Sequence, residues 1–345
     1  MFYRSKAPFR LGIAGGGTDV SPYSDIYGGA VLNVTINRFA NATIRPLEGG
    51  RVRFVHINDG ITKEFDSAPQ LEIYAPLALQ CGIYNSVVRR FCGGKPLSFE
   101  LTTKMDVPSG SGLGTSSTLV VAILGAFVEW LRLPLGKYDI ARYACEIERE
   151  DLAMAGGKQD QYAATFGGVN FMEFRDADRV IVNPLSIPES TLNEWAMDTV
   201  LLYTRKKRES SRIIEEQIAN VQQNKSCQVE AMHRVKQEAF RIKDCLLRGD
   251  LSELGRTLNE SWKYKKMMAG NISNEQIDSI YATALAAGAT GGKISGAGGG
   301  GFMFFHCPGG TRYAVEAALS AMDICDIYDF DFCRHGLVSW TAGEK

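Results

Sequence analysis

The sequence predicts an α+β fold built from two domains. Segments rich in β-branched residues come in clusters and do not alternate strictly with helical segments, which argues against a doubly wound α/β fold. The chain has 345 residues, 45% of them hydrophobic, a length expected of about two domains. Composition shifts near residue 188, so we predict domains at residues 1–188 and 189–345.

In the first predicted domain, runs rich in Val, Ile, Thr and Phe predict strands because these side chains suit a pleated surface. The strands are Val31–Ile36, Ala40–Ile44, Val52–His56, Leu97–Thr103 and Gly167–Phe174. Apolar residues spaced by three and four positions predict helices because that spacing puts them on one face. The helices are Tyr74–Cys92, Leu113–Leu131 and Tyr138–Leu152.

The second predicted domain is dominated by helical periodicity. The predicted helices are Arg208–Arg248 with a break near Asn224, Leu251–Met268, Asn274–Ala287 and Arg312–Met322. Three short apolar runs predict strands, namely Thr199–Tyr203, Phe302–Cys307 and Ile327–Phe332.

Composition narrows the class of protein. The chain carries 38 Lys and Arg against 39 Asp and Glu, so its overall charge provides no drive toward nucleic acid. Its longest apolar run, Leu119 to Val128, has about half the length of a membrane span. The polar start lacks the apolar core of a signal peptide, and the eight cysteines include no CxxC pair. We therefore expect a cytoplasmic protein with small-molecule partners and no nucleic acid or membrane.

Glycine is enriched, with 36 residues, and three clusters of it stand out. The first is Gly15–Gly17, followed by Thr18 and Asp19 and preceded by Arg10. Adjacent glycines permit positive φ angles and a close approach of backbone to ligand. Arg can bind a phosphate with its forked donors, and Asp can accept hydrogen bonds from hydroxyls. The pattern is also compatible with a plain tight turn between two strands.

The second cluster, Pro108–Ser117, lies between a predicted strand and a predicted helix. Free backbone N–H groups and the positive end of a helix dipole meet there, which suits a phosphate group. The lysine of a Walker A loop is absent. A capped, buried helix would also account for this pattern.

The third cluster, Lys293–Gly301, formally contains GxGxxG but leads into an apparent strand. A dinucleotide-binding fingerprint opens a helix instead. We therefore interpret the cluster as a wall of backbone against a ligand, with a glycine bulge as the alternative.

Two acidic residues complete the candidate site. Asp160 follows Gly156–Gly157 at the start of an apolar stretch, where a carboxylate can also be a simple helix cap. Glu148 lies twelve residues earlier in an acidic run on the preceding predicted helix.

Together these segments resemble the GHMP kinases, the superfamily of galactokinase, homoserine kinase, mevalonate kinase and phosphomevalonate kinase. Its three motifs correspond in order to Ala7–Arg10 with Asp19, to Pro108–Ser117 and to Lys293–Gly301. Within it, the chain is similar to the branch acting on D-glycero-D-manno-heptose 7-phosphate. Galactokinases carry Glu-His where this chain has Gly16-Gly17, so galactose is less expected. The resemblance implies two α+β domains with the active site in the cleft between them.

The resemblance also implies a reaction, which is phosphoryl transfer from ATP to the anomeric hydroxyl of the sugar phosphate. It implies roles for particular residues as well. Asp160 and Arg10 would be catalytic, and Ser116 and Glu148 would hold Mg²⁺. ATP would be bound by Pro108, Gly110, Ser111, Gly112, Leu113, Gly114, Thr115, Ser116 and Ser117. The sugar would be bound by Gly15, Gly16, Gly17, Thr18, Asp19, Gly298, Gly299, Lys158 and Arg208.

A phosphate at the far end of the sugar requires a cationic partner that no motif identifies. Candidates are Lys158, Arg205, Lys206, Lys207, Arg208, Lys263, Lys265 and Lys266. Two alternatives stay open: a kinase of an unphosphorylated sugar such as L-fucose, and an inactive sensor of sugar or nucleotide. The sequence indicates no oligomeric state.

Overall fold

The computed structural model describes residues 1–175, 179–206 and 210–343. Its strands are β1 (Phe2–Ala14), β2 (Gly29–Pro46), β3 (Arg51–His56), β4 (Ile61–Asp66), β5 (Phe99–Met105), β6 (Val169–Phe174), β7 (Val180–Pro184), β8 (Thr199–Tyr203), β9 (Gly291–Ile294), β10 (Phe302–His306), β11 (Asp326–Tyr328) and β12 (Val338–Ala342).

Helices pack on these strands. They are α1 (Tyr23–Tyr27), α2 (Ala78–Phe91), α3 (Thr115–Leu131), α4 (Lys137–Glu146), α5 (Gln159–Phe166), α6 (Glu189–Met197), α7 (Ser210–Gln222), α8 (Ser226–Arg248), α9 (Leu251–Met267), α10 (Glu275–Ala286) and α11 (Arg312–Ser320). A short 3₁₀ turn covers Ala75–Leu77, and a π-helical turn covers Ile147–Asp151. No helix among the described residues is both long and apolar enough to cross a membrane.

The strands form two sheets, as the predicted α+β fold requires. The larger has the order β12-β1-β2-β5-β3-β4, and β6 and β7 extend it from the first half of β2. The smaller has the order β11-β8-β10-β9 and is antiparallel throughout. The last strand, β12, returns to pair with β1, although it lies within the predicted second domain. The boundary near residue 188 remains a prediction.

Each sheet has its own helical cover and core. Helix α3 lies on β1 and β2, and it is buried along most of its length because Leu119–Phe127 is almost entirely apolar. The smaller sheet packs on α9, α10 and α11 through residues such as Trp262, Met303 and Phe305. Burial of such side chains stabilises each core by about 1.5–3 kcal/mol per residue.

Strand β1 carries the first sequence motif into the interface between the two halves. Its pairing with β2 is irregular between Pro8 and Arg10 and again between Gly12 and Ala14. Bulges of this kind bend a strand and redirect its side chains, often beside active sites. Arg10 is thereby placed among residues of the second half of the chain.

Three local predictions require correction. The helix predicted over Tyr138–Leu152 ends at Glu146 and continues as the π-helical turn, which widens the helix at Glu148. The two predicted strands between residues 31 and 44 are one bent strand, β2. The last predicted strand, Ile327–Phe332, is a strand only at its start, and Phe332 makes an isolated bridge to Ile36.

Candidate active site

The two halves of the chain meet around one cavity, which we call the central cavity. It is lined from the first half by Arg10, Gly17, Asp19, Val20, Gly110, Gly112, Gly114, Thr115, Ser116, Ser117, Glu148, Arg149, Met154, Ala155, Gly156, Gly157, Gln159 and Asp160. The second half contributes Ile214, Gln217, Lys265, Gly296 and Ala297. All three glycine clusters predicted to form a site therefore reach this cavity.

An ion pair lies at the centre of the cavity wall. Arg10 on β1 donates through Nε to Oδ1 of Asp160 at 2.7 Å, and its Nη2 lies 2.6 Å from the same oxygen. The remaining amino group, Nη1, donates to the carbonyl of Gly112 at 2.7 Å and to the Ser295 hydroxyl at 3.1 Å. The Arg10 side chain is 3% exposed, whereas that of Asp160 is 23% exposed. The Arg10 side chain is thus fixed on its buried side, and the Asp160 carboxylate is the part of the pair that is open to the cavity.

The second glycine cluster forms a loop directly beside Asp160. Gly110, Gly112 and Gly114 have φ angles of 71°, 90° and 73°, which side chains rarely adopt. A Cβ atom at Gly114 would lie 2.8 Å from Cγ of Asp160. Helix α3 begins immediately after this loop at Thr115, so its positive end faces the cavity. Phosphate binding by this loop stays a prediction, which its position at the start of α3 suits.

The hydroxyls at the start of α3 have different environments. Thr115 accepts a hydrogen bond from the backbone N–H of Gly110 and so closes the loop. Ser116 is exposed to the cavity. Ser117 is buried and donates to Oε1 of Glu148 at 3.0 Å. The hydroxyl bonded to Glu148 is therefore that of Ser117, whereas the predicted metal pair joined Glu148 to Ser116.

Glu148 is almost completely buried at the edge of the cavity. Its Oε2 accepts a hydrogen bond from Nε2 of Gln161, which also donates to Ser117. Burial raises the pKa of Glu148 above its ordinary value of 4.5, although the nearby Arg149 opposes this shift. The described residues contain no cluster of three or more His, Cys, Asp or Glu able to hold a metal by themselves. A carboxylate and a hydroxyl do suit Mg²⁺, which commonly takes its other ligands from water and substrate phosphates.

Asp19 holds the segment that carries Asp160. Its Oδ1 accepts from the N–H of Gly17 and from Nε2 of Gln159, both at 3.1 Å. Its Oδ2 accepts from the backbone N–H groups of Lys158 and Gln159 at 3.0 and 3.1 Å. These donors fill the roughly four acceptor positions of a carboxylate. Asp19 borders the cavity as predicted, but its carboxylate is engaged in anchoring the start of α5.

The rest of the first glycine cluster is mainly structural. A Cβ at Gly15 would lie 1.8 Å from the carbonyl oxygen of Ala30, so only glycine fits there. Thr18 is buried and donates to the carbonyls of Gly15 and Ala30. Of the predicted sugar-binding residues in this cluster, only Gly17 and Asp19 line the cavity.

The third glycine cluster also differs in detail from the prediction. Gly296 and Ala297 line the cavity, whereas Gly298 and Gly299 do not. A Cβ at Gly298 would lie 2.7 Å from Cα of Ile272, and Gly299 donates its N–H to the carbonyl of the same residue. These two glycines allow the loop to pack on the segment after α9. The part of the loop that faces the cavity is Gly296–Ala297, two residues before the predicted Gly298 and Gly299.

The eight basic candidates for a distal phosphate are separated by the fold. Arg205 is on the surface, paired with Asp323 and Asp326. Lys206 and Lys263 are exposed, and Lys266 pairs with Asp278. Lys158 lines a neighbouring cavity, and Lys207 and Arg208 lie outside the described residues. Lys265 alone among the described candidates lines the central cavity.

Sequence reasoning missed two polar side chains of the site. Arg149 donates to the carbonyls of Met154 and Gly157 and so holds the loop before α5. The side-chain Nε2 of Gln159 donates to Asp19. This bond fixes the orientation of the Gln159 amide, so its Oε1 points away from Asp19. That oxygen is buried without a hydrogen-bond partner. Buried acceptors are nearly always paired, so a hydroxyl group of a ligand could be its donor. The signal available in the sequence was a polar residue at the start of a buried helix.

Comparison with known proteins identifies one family. Its profiles, "GHMP kinases N terminal domain" and "GHMP kinases C terminal", match residues 79–168 and 242–324. A D-glycero-alpha-D-manno-heptose 7-phosphate kinase of Campylobacter jejuni is 46% identical over 337 residues, which cover 98% of each chain. The crystal structure of a D-glycero-D-manno-heptose 1-phosphate kinase from Bacteroides thetaiotaomicron is 43% identical, with a TM-score of 0.84 over 99% of this chain and 100% of that chain.

A more distant relative bears on the alternative substrate. An L-fucokinase/L-fucose-1-P guanylyltransferase of Bacteroides fragilis is 27% identical over 326 residues, which cover 87% of this chain and 34% of that protein.

The first prediction concerns the anchoring role of Asp19. Asp19→Asn places an NH₂ group opposite backbone or side-chain N–H donors, leaving buried donors unpaired. We expect the free energy of unfolding to fall by about 1–3 kcal/mol, measured by urea denaturation. Asp25→Asn is the control because Asp25 is more exposed and lies 3.8 Å from Lys158. An unchanged stability for Asp19→Asn would contradict the anchoring role.

The second prediction concerns the pH dependence of stability. The folded state binds a proton at Glu148 more tightly than the unfolded state, because burial raises the pKa of this group. The stabilising contribution of Glu148 to the unfolding free energy is therefore fully present below its pKa in the unfolded chain. This contribution is lost as the pH rises through its higher pKa in the folded protein. Relative to Glu148→Gln, the wild-type protein should therefore lose unfolding free energy as the pH rises above the ordinary carboxyl pKa of 4.5.

Glu150→Gln is the matched control for this measurement, since Glu150 is exposed on the same π-helical turn. Urea denaturation of the three proteins across the pH range gives the comparison. A wild-type advantage over Glu148→Gln that grows with pH would refute the assignment.

Proposed function

The chain belongs to the GHMP kinase family, and on that premise we propose that it phosphorylates the anomeric hydroxyl of D-glycero-D-manno-heptose 7-phosphate. The protein is a phosphotransferase with an alcohol group as acceptor, and family membership supports ATP as the phosphoryl donor. The product would be the heptose 1,7-bisphosphate, a precursor of nucleotide-activated heptose. The cytoplasmic location and small-molecule partners expected from the sequence belong to this proposal.

The observation that carries the proposal is the position of Asp160 between Arg10 and the phosphate loop. Its Oδ1 is bound by Arg10, whereas Oδ2 would lie 2.9 Å from a Cβ at Gly114. A sugar hydroxyl that approaches Oδ2 is therefore next to the loop that would hold the transferable phosphate. Phosphoryl transfer depends mainly on such positioning and on neutralisation of charge.

The chemical roles follow from this arrangement. Asp160 accepts or orients the proton of the attacking hydroxyl, as a general base within hydrogen-bond reach of it would. Arg10 keeps the carboxylate in place and contributes positive charge beside the reacting groups. The backbone N–H groups of the loop bind the ATP phosphates, aided by the positive end of α3.

Mg²⁺ fits the same region. Ser116 and Glu148 both line the cavity and supply the oxygen ligands that this cation prefers. Ser117 and Gln161 orient the Glu148 carboxylate through their hydrogen bonds. When bound, the ion would neutralise negative charge on the ATP phosphates.

The names of the two heptose kinases support the acceptor but differ in the position of the phosphate. One is called a 7-phosphate kinase and the other a 1-phosphate kinase. We favour the 7-phosphate as acceptor because the 46% identical relative bears that name. L-Fucose is the second candidate because of the fucokinase-containing relative. An inactive sensor is disfavoured, since Asp160, Arg10 and the loop form a complete constellation.

A coupled assay of ADP release with Mg-ATP tests the function. The acceptors are D-glycero-D-manno-heptose 7-phosphate, mannose 6-phosphate, fucose, galactose and mannose. We expect clear preference for the heptose phosphate, with the new phosphate on C1 in the ³¹P NMR spectrum. Turnover of free fucose or galactose without turnover of a sugar phosphate would overturn the substrate but leave the family assignment intact.

The third prediction tests the catalytic carboxylate. Asp160→Asn should lower kcat by about 10²-fold or more, because the amide cannot accept the hydroxyl proton. ATP affinity, measured by calorimetry, should stay within a few-fold of wild type. Asp323→Asn is the control, as Asp323 is 90% exposed and pairs with Arg205 on the surface. Unchanged turnover of Asp160→Asn would remove this residue from the mechanism.

A further inference from the structure

Two buried polar side chains of the second half enter the central cavity without a part in phosphoryl transfer. Lys265 on α9 is 2% exposed and donates through Nζ to the carbonyl of Gly16 at 2.7 Å. Gln217 on α7 is also 2% exposed, and its Nε2 has no hydrogen-bond partner. Both line the cavity. A buried amide N–H without a partner is costly, so this donor is positioned for something that the protein itself does not supply.

Lys265 and Gln217 converge on one point of the cavity wall. A Cβ at Gly17 would lie 3.2 Å from Nζ of Lys265 and 2.9 Å from Oε1 of Gln217. Any side chain at position 17 would therefore collide with these two groups and with Cε of Met268, which would lie 2.8 Å away. The unpartnered Nε2 belongs to the same Gln217 amide as this oxygen. Gly17 has a φ of 102°, which also favours glycine at this position.

Both residues occupy inward positions of amphipathic helices, where an apolar side chain is the usual choice. On α9 the buried face includes Leu258, Ser261, Trp262 and Lys265, at the spacing of one helical face. On α7, Gln217 follows the buried Ile213 by four residues. The outward Lys263 on the same helix is exposed. Burial of an amide and an ammonium in these positions costs free energy, which a functional role explains.

Three cationic side chains, Arg10, Arg149 and Lys265, line the cavity together with three carboxylates, Asp19, Glu148 and Asp160. Lys293 is fully buried and donates to the carbonyl of Gly12, and its pKa is held well below the ordinary value by burial and by the charges of Lys265 and Arg10. Asp160 is paired with Arg10, and the carboxylate of Asp19 accepts from four N–H groups. An anionic ligand near Lys265 would favour the charged form of this lysine, since an opposite charge stabilises an ammonium group.

We propose that Lys265 and Gln217 form a subsite for the non-reacting phosphate of the acceptor, and that this subsite selects phosphorylated over unphosphorylated sugars. This inference rests on the proposed function and adds the residues that recognise the distal phosphate. The ammonium provides the charge and the Gln217 amide a neutral donor. The opposite end of the sugar then reaches Asp160 in the same cavity.

The test compares one sugar with and without its phosphate. Steady-state kinetics with D-glycero-D-manno-heptose 7-phosphate and with D-glycero-D-manno-heptose are measured for wild type, Lys265→Met and Gln217→Leu. For the phosphorylated acceptor, kcat/KM should fall roughly 10- to 100-fold in Lys265→Met, mainly through KM, and roughly 3- to 10-fold in Gln217→Leu. For the unphosphorylated acceptor, both variants should stay within about threefold of wild type.

Lys263→Met is the matched control, because Lys263 is exposed two residues away on the same helix, and both acceptors should be unaffected by it. Lys265→Arg is the conservative variant and should recover part of the selectivity by restoring the charge. Thermal unfolding checks that the variants are folded, and Gln217→Leu provides an independent test if Lys265→Met is not.

The outcomes separate the two proposals. Equal losses for both acceptors, or a raised KM for ATP alone, would overturn the subsite and indicate a structural or nucleotide-binding role for Lys265. Unchanged kinetics in both variants would overturn it as well. If the wild-type protein phosphorylates no heptose phosphate at all, the proposed function itself fails and the subsite fails with it.

Discussion

The buried side chain of Arg10, paired with Asp160, is the interaction on which the arrangement of this site depends. The Arg10 side chain, buried at 3% exposure, needs acceptors for its donors, and it finds them in α5, in the loop before α3 and in the loop after β9. Removing one partner of such a buried network leaves an unsatisfied charge. The bond from Nη1 to Ser295 also links this network to the second half of the chain at the wall of the central cavity.

Function in this site is separated between groups that face the ligand and groups that hold them. Asp19 anchors the start of α5 with four hydrogen bonds, and Arg149 holds the loop just before it. The carboxylate of Asp160 is thus positioned by residues that need no contact with the reacting atoms. For the proposed function such preorganisation would be favourable, because no rearrangement would be needed as charge develops during transfer.

The cavity also retains polar groups that the protein leaves unpaired. The side-chain oxygen Oε1 of Gln159 and the side-chain nitrogen Nε2 of Gln217 are buried without hydrogen-bond partners. Each lowers the stability of the empty protein, since desolvated polar groups without partners are unfavourable. Unpartnered polar groups that line a cavity are expected at binding sites, where a ligand can supply the missing partner.

The sequence by itself determined the features that depend on local chemistry. The glycines of the loop before α3, the start of α3 and the acidic residue at the start of α5 can be recognised because backbone conformation and helix termini depend on neighbouring residues. Only the tertiary structure decided which side chains meet. Adjacent residues on a helix point about 100° apart, and the structure shows that the Ser117 hydroxyl is the one that donates to Glu148. Lys265 donates to Gly16, which lies 249 residues earlier in the sequence. This contact depends on how the two halves of the chain pack together, so no local sequence pattern could have predicted it.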